Sequence, residues 1–151
     1  MKVVIQRCNN ASVIVNNERR NIEKGLVVLI GMTHDDTEKE IDYLIKKISN
    51  IRIFEDDNNK MNYSVQDIKG EILLVSQFTL YANTKDGNRP SFTDSMNYND
   101  ALSLYNLFIE KLKKTNIPFK TGEFGEDMKV NLENDGPVTI IIDTKENLYE
   151  K

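Results

Sequence analysis

Apolar and polar positions alternate at the start of the chain, and Lys2 to Arg7 and Ser12 to Val15 read as short strands. Asn16-Asn17, ahead of Glu18, supplies a hairpin turn. Leu26 to Ile30, set between Gly25 and Gly31, is apolar throughout, as in a strand covered on both faces. The period then changes. Thr37 with Glu40 is a capping box, and Ile41, Leu44, Ile45 and Ile48 follow at helical spacing. Ile51 to Phe54 reads as a strand, Asp56-Asp57-Asn58-Asn59 as an exposed turn, and Glu71 to Phe78 as a further strand after Gly70. Ala82 to Asn97 is polar and aperiodic, a long surface loop of the kind that more often carries function. A second helix is predicted over Asn99 to Lys114, with Leu102, Tyr105, Phe108, Ile109 and Leu112 on its stripe. Two last strands, Met128 to Glu133 and Val138 to Asp143, flank Asn134-Asp135-Gly136-Pro137, where Asp-Gly signals a hairpin and proline opens the next strand. Strands and helices in mixed order predict a mixed α/β fold: a curved sheet or partial barrel with two main helices packed on one side.

Length and composition narrow the class. The 151 residues suit a single domain over residues 1–144, followed by a polar, frayed tail at 145–151. Hydrophobic residues at 39% and charged residues at 29% exclude a disordered or fibrous chain. The apolar runs Leu26 to Ile30 and Ile140 to Ile142 fall far short of the roughly 20 residues that span a bilayer. The opening residues offer neither a signal-peptide block nor a transit segment, so a cytoplasmic location is expected.

One cysteine, Cys8, and one histidine, His34, leave no internal disulfide and speak against a Cys/His zinc site. No metal or cofactor is indicated. His34 lies in the polar stretch Thr33-His34-Asp35-Asp36 and reads as a solvated loop residue rather than a catalytic base. The net charge of −4 argues against a general nucleic-acid binder, so any RNA contact must be local. Lys111, Lys113 and Lys114 in the last turn of the second helix complement its dipole, with phosphate binding as the alternative reading.

Two segments carry more chemistry than packing requires. Ser76-Gln77-Phe78-Thr79-Leu80-Tyr81-Ala82 sets two hydroxyls and an amide among aromatics; its local reading is a strand end whose hydroxyls cap a turn. Asn134-Asp135-Gly136-Pro137-Val138-Thr139 reads locally as a turn, and nothing local assigns a cis bond to its proline.

These two segments resemble the signature motifs of the D-aminoacyl-tRNA deacylases. The similarity is co-linear over residues 1 to about 144, through Val3-Val4-Ile5-Gln6-Arg7, Arg52-Ile53-Phe54-Glu55-Asp56, Lys60-Met61-Asn62, Arg89-Pro90-Ser91-Phe92, Phe124-Gly125 and Ile142-Asp143-Thr144. Related animal enzymes that edit L-aminoacyl-tRNA carry different residues ahead of the Thr-Leu pair and after the Gly-Pro pair, so the chain is similar to the D-specific branch. The resemblance implies a three-layer β/β/α fold and a cytoplasmic homodimer with each active site at the subunit interface. It implies that Gly136-Pro137, with a cis bond, enters the partner's pocket and offers carbonyls to the substrate's α-amino group. An L side chain would then meet Pro137, whereas D-amino acids, and glycine mischarged on tRNA for alanine, would be accepted.

By the same resemblance Ser76, Gln77, Phe78 and Thr79 form the catalytic segment. Arg7 braces the dipeptide of the neighbouring subunit, Asn134 belongs to the dipeptide's motif, and Phe124 and Met128 flank the terminal adenosine. For Arg7 the residues alone favour an exposed strand-end charge, and Phe124 and Met128 read equally well as core. The expected mechanism directs water with the ribose hydroxyl and stabilises the oxyanion with backbone N–H groups near Gln77 and Phe78. Thr79 lacks a base in this sequence and is read as a positioning residue. Two other classes stay open: a non-catalytic module that binds RNA ends, and a small-ester hydrolase indifferent to RNA, which a trapped acyl-enzyme would reveal.

Overall fold

The computed structural model describes residues 1–150. Its central strand, β1 (Lys2–Val15), runs without a break through the region where two short strands are predicted. It turns at Asn16 and Asn17, both with positive φ (52° and 64°), into antiparallel β2 (Glu18–Ile22). Two consecutive left-handed residues match the twist of the flanking strands, and asparagine tolerates that region. β3 (Gly25–Gly31) pairs antiparallel with β1.

Helix α1 (Glu38–Asn50) then crosses over, closed by the predicted capping box between Thr37 and Glu40. A two-stranded ribbon follows, β4 (Phe54–Glu55) with β5 (Met61–Tyr63). The strand expected at Ile51 to Phe54 therefore begins only at its last residue. β6 (Glu71–Ser76) lies parallel to β3 and stops at Ser76, short of the expected Phe78. The chain bends there into a 3-10 turn, Phe78–Tyr81.

Helix α2 (Tyr98–Lys113) starts at an Asn97 cap and buries Tyr105, Phe108 and Leu112, with Leu102 and Ile109 half-buried. It returns the chain to β7 (Phe119–Thr121), a short strand with no marked sequence pattern, parallel to β6. β8 (Lys129–Asp143) is one long strand along β1, where a hairpin between two strands is expected. The tail expected to fray from residue 145 instead continues α3 (Thr144–Tyr149), capped by the Asp143 side chain. α3 is tied down at both ends: the Met1 ammonium contacts Asp36 (2.8 Å) and the Thr144 hydroxyl (2.9 Å), and the Tyr149 hydroxyl donates to Glu40.

The sheet order is β2-β1-β3-β6-β7, with β8 on β1. The sheet curls until Arg20 of β2 donates to the Thr121 carbonyl of β7 (2.8 Å). Curling gives the sheet two cores. In β1, Val3 and Ile5 join Leu26, Val28, Ile30, Ile72 and Leu74 under the helices, against Ile41, Leu44, Ile48, Phe108 and Leu112. Past register shifts at Gln6/Cys8 and Cys8/Asn10, the buried parity changes, and Cys8, Ala11 and Val13 pack instead with Ile22, Val27, Leu73 and Val75 inside the curl. Helices, sheet and folded-over sheet make the three-layer β/β/α arrangement.

Candidate active site

The two motifs lie on opposite kinds of backbone. Ser76 ends β6, and the Gln77 N–H donates to the Ile30 carbonyl (2.7 Å), so the chain stays pinned to β3 as it leaves the sheet. That bond occupies the Gln77 N–H, one of the two amides expected to face an oxyanion. Phe78 and Thr79 instead open the 3-10 turn, where the first N–H groups have no acceptor within the helix.

The Gln77 amide donates to the Thr79 hydroxyl. An amide in either orientation is no proton acceptor at neutral pH, so nothing here activates Thr79 as a nucleophile. His34 is bonded to the Thr93 carbonyl (2.7 Å) and exposed, and burial pushes the Cys8 thiol up to about 11. His34 is not among the cavity's lining residues, and a thiol raised that far is not a thiolate at neutral pH.

The turn opens into a cavity of about 490 Å³, lined by Ser76, Gln77, Phe78, Tyr98, Phe124 and Met128 among others. Met128 rests on Gly122, where a Cβ would collide with its sulfur. Phe124 meets Tyr98 and Tyr105 at ring distances of 5.3 Å each. The loop before α2 closes one side: Ser95 and Met96 line the cavity, the Ser95 hydroxyl donates to the Phe78 carbonyl (2.9 Å), and Phe92 stands edge-on to Phe78 at 5.1 Å. The lining contains no Lys, Arg or His and includes Glu126 and Asp127.

The second motif is a bulge. Gln6 pairs with Thr139 and Cys8 with Asn134, so Arg7 alone faces the four residues Asp135 to Val138, which are pushed out of the ladder. The bulge is laced shut. Asn134 accepts the Val138 N–H (2.8 Å) through its side-chain oxygen and donates to the Thr139 hydroxyl (2.9 Å). Arg7 is 5% exposed, which corrects the reading of it as a surface charge. Its guanidinium donates to the Asp135 carbonyl (3.0 Å) and the Ile53 carbonyl (2.7 Å) of its own chain. Gly136 has φ +127°, a region that suits glycine, and a Cβ there would lie 3.0 Å from the Arg7 Nη2. The Gly136-Pro137 bond is cis, and both residues are exposed.

Within one chain the structure thus gathers Ser76, Gln77, Phe78, Phe124 and Met128 around the cavity, with Thr79 beside it. Arg7 and Gly136 line a separate cleft, with Asn134 and Pro137 on the same bulge, and the two lining sets share no residue. Sequence reasoning missed Met32, Met96 and Tyr98 as cavity residues. Tyr98 falls seven residues before Tyr105, on the same helical stripe, so its spacing reads as core and gives no signal of a cavity role.

A curled sheet with a helix layer and an aromatic cavity closed by a hydroxyl-bearing turn defines a class of small α/β proteins whose site is lined without histidine. Residues 4–143 match the family described as D-Tyr-tRNA(Tyr) deacylase, and the chain belongs to that family of hydrolases. A D-aminoacyl-tRNA deacylase of Finegoldia magna is 54% identical over 96% of this chain and 99% of its own. The solved structure of a c-Myc DNA unwinding element binding protein is 44% identical, with a TM-score of 0.88 over 95% of this chain and 98% of that one. A probable eukaryotic D-amino acid tRNA deacylase shares the fold at 18% identity, with a TM-score of 0.81 over 93% of this chain and 97% of that one.

Proposed function

We propose that the chain hydrolyses the ester between a D-amino acid and the 3′ end of tRNA. The observation that carries this reading is the turn at Phe78 and Thr79, whose first N–H groups have no acceptor within the turn and whose Phe78 lines an aromatic cavity. An aminoacyl ester is already activated and has a ribose hydroxyl beside it. Water guided by that hydroxyl attacks the carbonyl carbon, the oxyanion is held by the two N–H groups, and the bond to the ribose oxygen breaks as that oxygen takes up a proton. A site without histidine suffices for this chemistry. Ser76 and the Gln77 to Thr79 bond hold the turn in shape, and Phe124 and Met128 hold the terminal adenosine.

In this reading residues 1–144 form the deacylase domain, and two copies make a cytoplasmic homodimer. The bulge of one subunit enters the cavity of the other, which explains why the dipeptide and the cavity are separate within one chain. Gly136 and Pro137 then meet the α-amino group, with Arg7 and Asn134 holding them out, and the proline ring rejects an L side chain. Glycine, having no side chain, is accepted, including glycine mischarged on tRNA for alanine. No helix is long and apolar enough to cross a membrane.

The test compares D-tyrosyl-tRNA with L-tyrosyl-tRNA. Selective loss of the D-ester, with Thr79→Ala retaining activity, supports the reading. Stability of both esters despite tRNA binding points to a non-catalytic module, and a covalent acyl-enzyme on Thr79 overturns the water mechanism.

A further inference from the structure

Two rings of the cavity wall, Phe124 and Tyr98, continue a ladder that starts behind the wall at Tyr105. Tyr105 is 3% exposed, Phe124 is half-buried, and Tyr98 is 58% exposed at the rim. Phe124 touches both neighbours at 5.3 Å between centroids. Tyr98 is held firmly for a surface ring. It is the first residue of α2, directly after the Asn97 cap, whose side chain accepts the Asp100 N–H (3.0 Å). The loop lies flush against it: Gly125 has φ +78°, and a Cβ there would sit 2.7 Å from the ring.

An ordered ring that is more than half exposed, on the rim of a cavity, has an open face for a planar partner. Charge offers no alternative grip, since the lining has no cation and carries Glu126 and Asp127. RNA held here must be held by stacking, which needs no particular base. The terminal adenosine, in the reading above, occupies the Phe124 and Met128 level. Of the two exposed rings in the lining, Phe78 belongs to the turn that faces the ester, and Tyr98 is the ring that adjoins Phe124 on the outer side.

We infer that Tyr98 stacks on the nucleotide preceding the terminal adenosine, and so selects a polynucleotide end over a lone aminoacyl nucleoside. This rests on the aminoacyl-tRNA reading. Tyr98 acts here as a substrate-binding residue for the RNA portion and takes no part in the chemistry.

The experiment measures kcat/KM for D-tyrosyl-tRNA and for 3′-O-(D-tyrosyl)adenosine, which lacks the preceding nucleotide. Wild type is expected to cleave both. Tyr98→Ala is expected to lose roughly tenfold more on the tRNA ester than on the nucleoside ester, mostly through KM, while Tyr98→Phe and Tyr98→Trp keep the tRNA rate. Equal losses on the two esters would make Tyr98 a support for Phe124 and overturn the inference, as would no loss on tRNA. Wild type inactive on both esters would overturn the aminoacyl-tRNA reading itself, and the inference with it.

Discussion

The bulge at Asp135 to Val138 and the turn at Phe78 to Tyr81 were equally conspicuous as motifs, yet they are built in contrary ways. The bulge is tied to its own chain through Asn134, which accepts the Val138 N–H, and the buried Arg7, which donates to the Asp135 carbonyl, and it holds a glycine and a proline out to solvent. The turn leaves its first N–H groups open and holds Phe78 59% exposed beside the cavity. One is a rigid projection finished before any ligand arrives; the other is a receptacle that its ligand completes. Substitutions in the residues that build the first, Arg7, Asn134 and Gly136, should therefore register first as stability, and in the second as activity.

The largest effect is expected at Arg7. Arg7→Ala strands the carbonyls of Asp135 and Ile53 in a buried setting and should cost about 3 kcal/mol in urea denaturation. A loss under about 1 kcal/mol would show that the bulge stands without it. Gly136→Ala comes next, at about 2 kcal/mol, from the positive φ and the crowding against Val138 and Arg7. Phe78→Ala should invert the pattern, changing stability by about 0.5 kcal/mol or less while lowering D-tyrosyl-tRNA cleavage roughly tenfold. A large stability loss there would erase the distinction between the two regions.

The smallest effect lies outside both regions, at α3, and serves as a control on them. Burial alone would raise the Glu40 carboxyl, but hydrogen bonds from the Tyr149 hydroxyl and from the Thr37 amide and hydroxyl outweigh it and hold Glu40 below the ordinary glutamate value. A depressed value stabilises the fold at pH above the ordinary glutamate value and loses that contribution as pH falls through the folded one. The stability gap between wild type and Tyr149→Phe should therefore be full near neutrality and close in acid, in chemical denaturation followed over pH. Deacylation at neutral pH should be untouched.

Helices, turn chemistry and apolar strands were legible because they depend on local spacing: the Thr37 and Glu40 box and the Asn16-Asn17 hairpin form as expected. What the sequence concealed depends on partners far along the chain. Asp135-Gly136-Pro137 carries every local mark of a hairpin, but β1 is long enough to pair with residues on both sides of it, so the chain continues as a bulge. Arg7 looks like a solvated charge until Ile53 and Asp135 are brought to it from 46 and 128 residues away. β7 is three residues long and is fixed as a strand by β6 rather than by its own pattern. Tyr149 and Asn147 look like tail until α1 offers Glu40 and Tyr43 as partners.

The place where β1 and β8 lose register is also where both strands pass from one core to the other: Ile5 and Val138 belong to the layer under the helices, Cys8 and Leu132 to the interior of the curl. The projecting dipeptide thus sits on a mechanical seam. Its footing is therefore shared between the two layers, so a substitution in either core bears on where Gly136 and Pro137 stand.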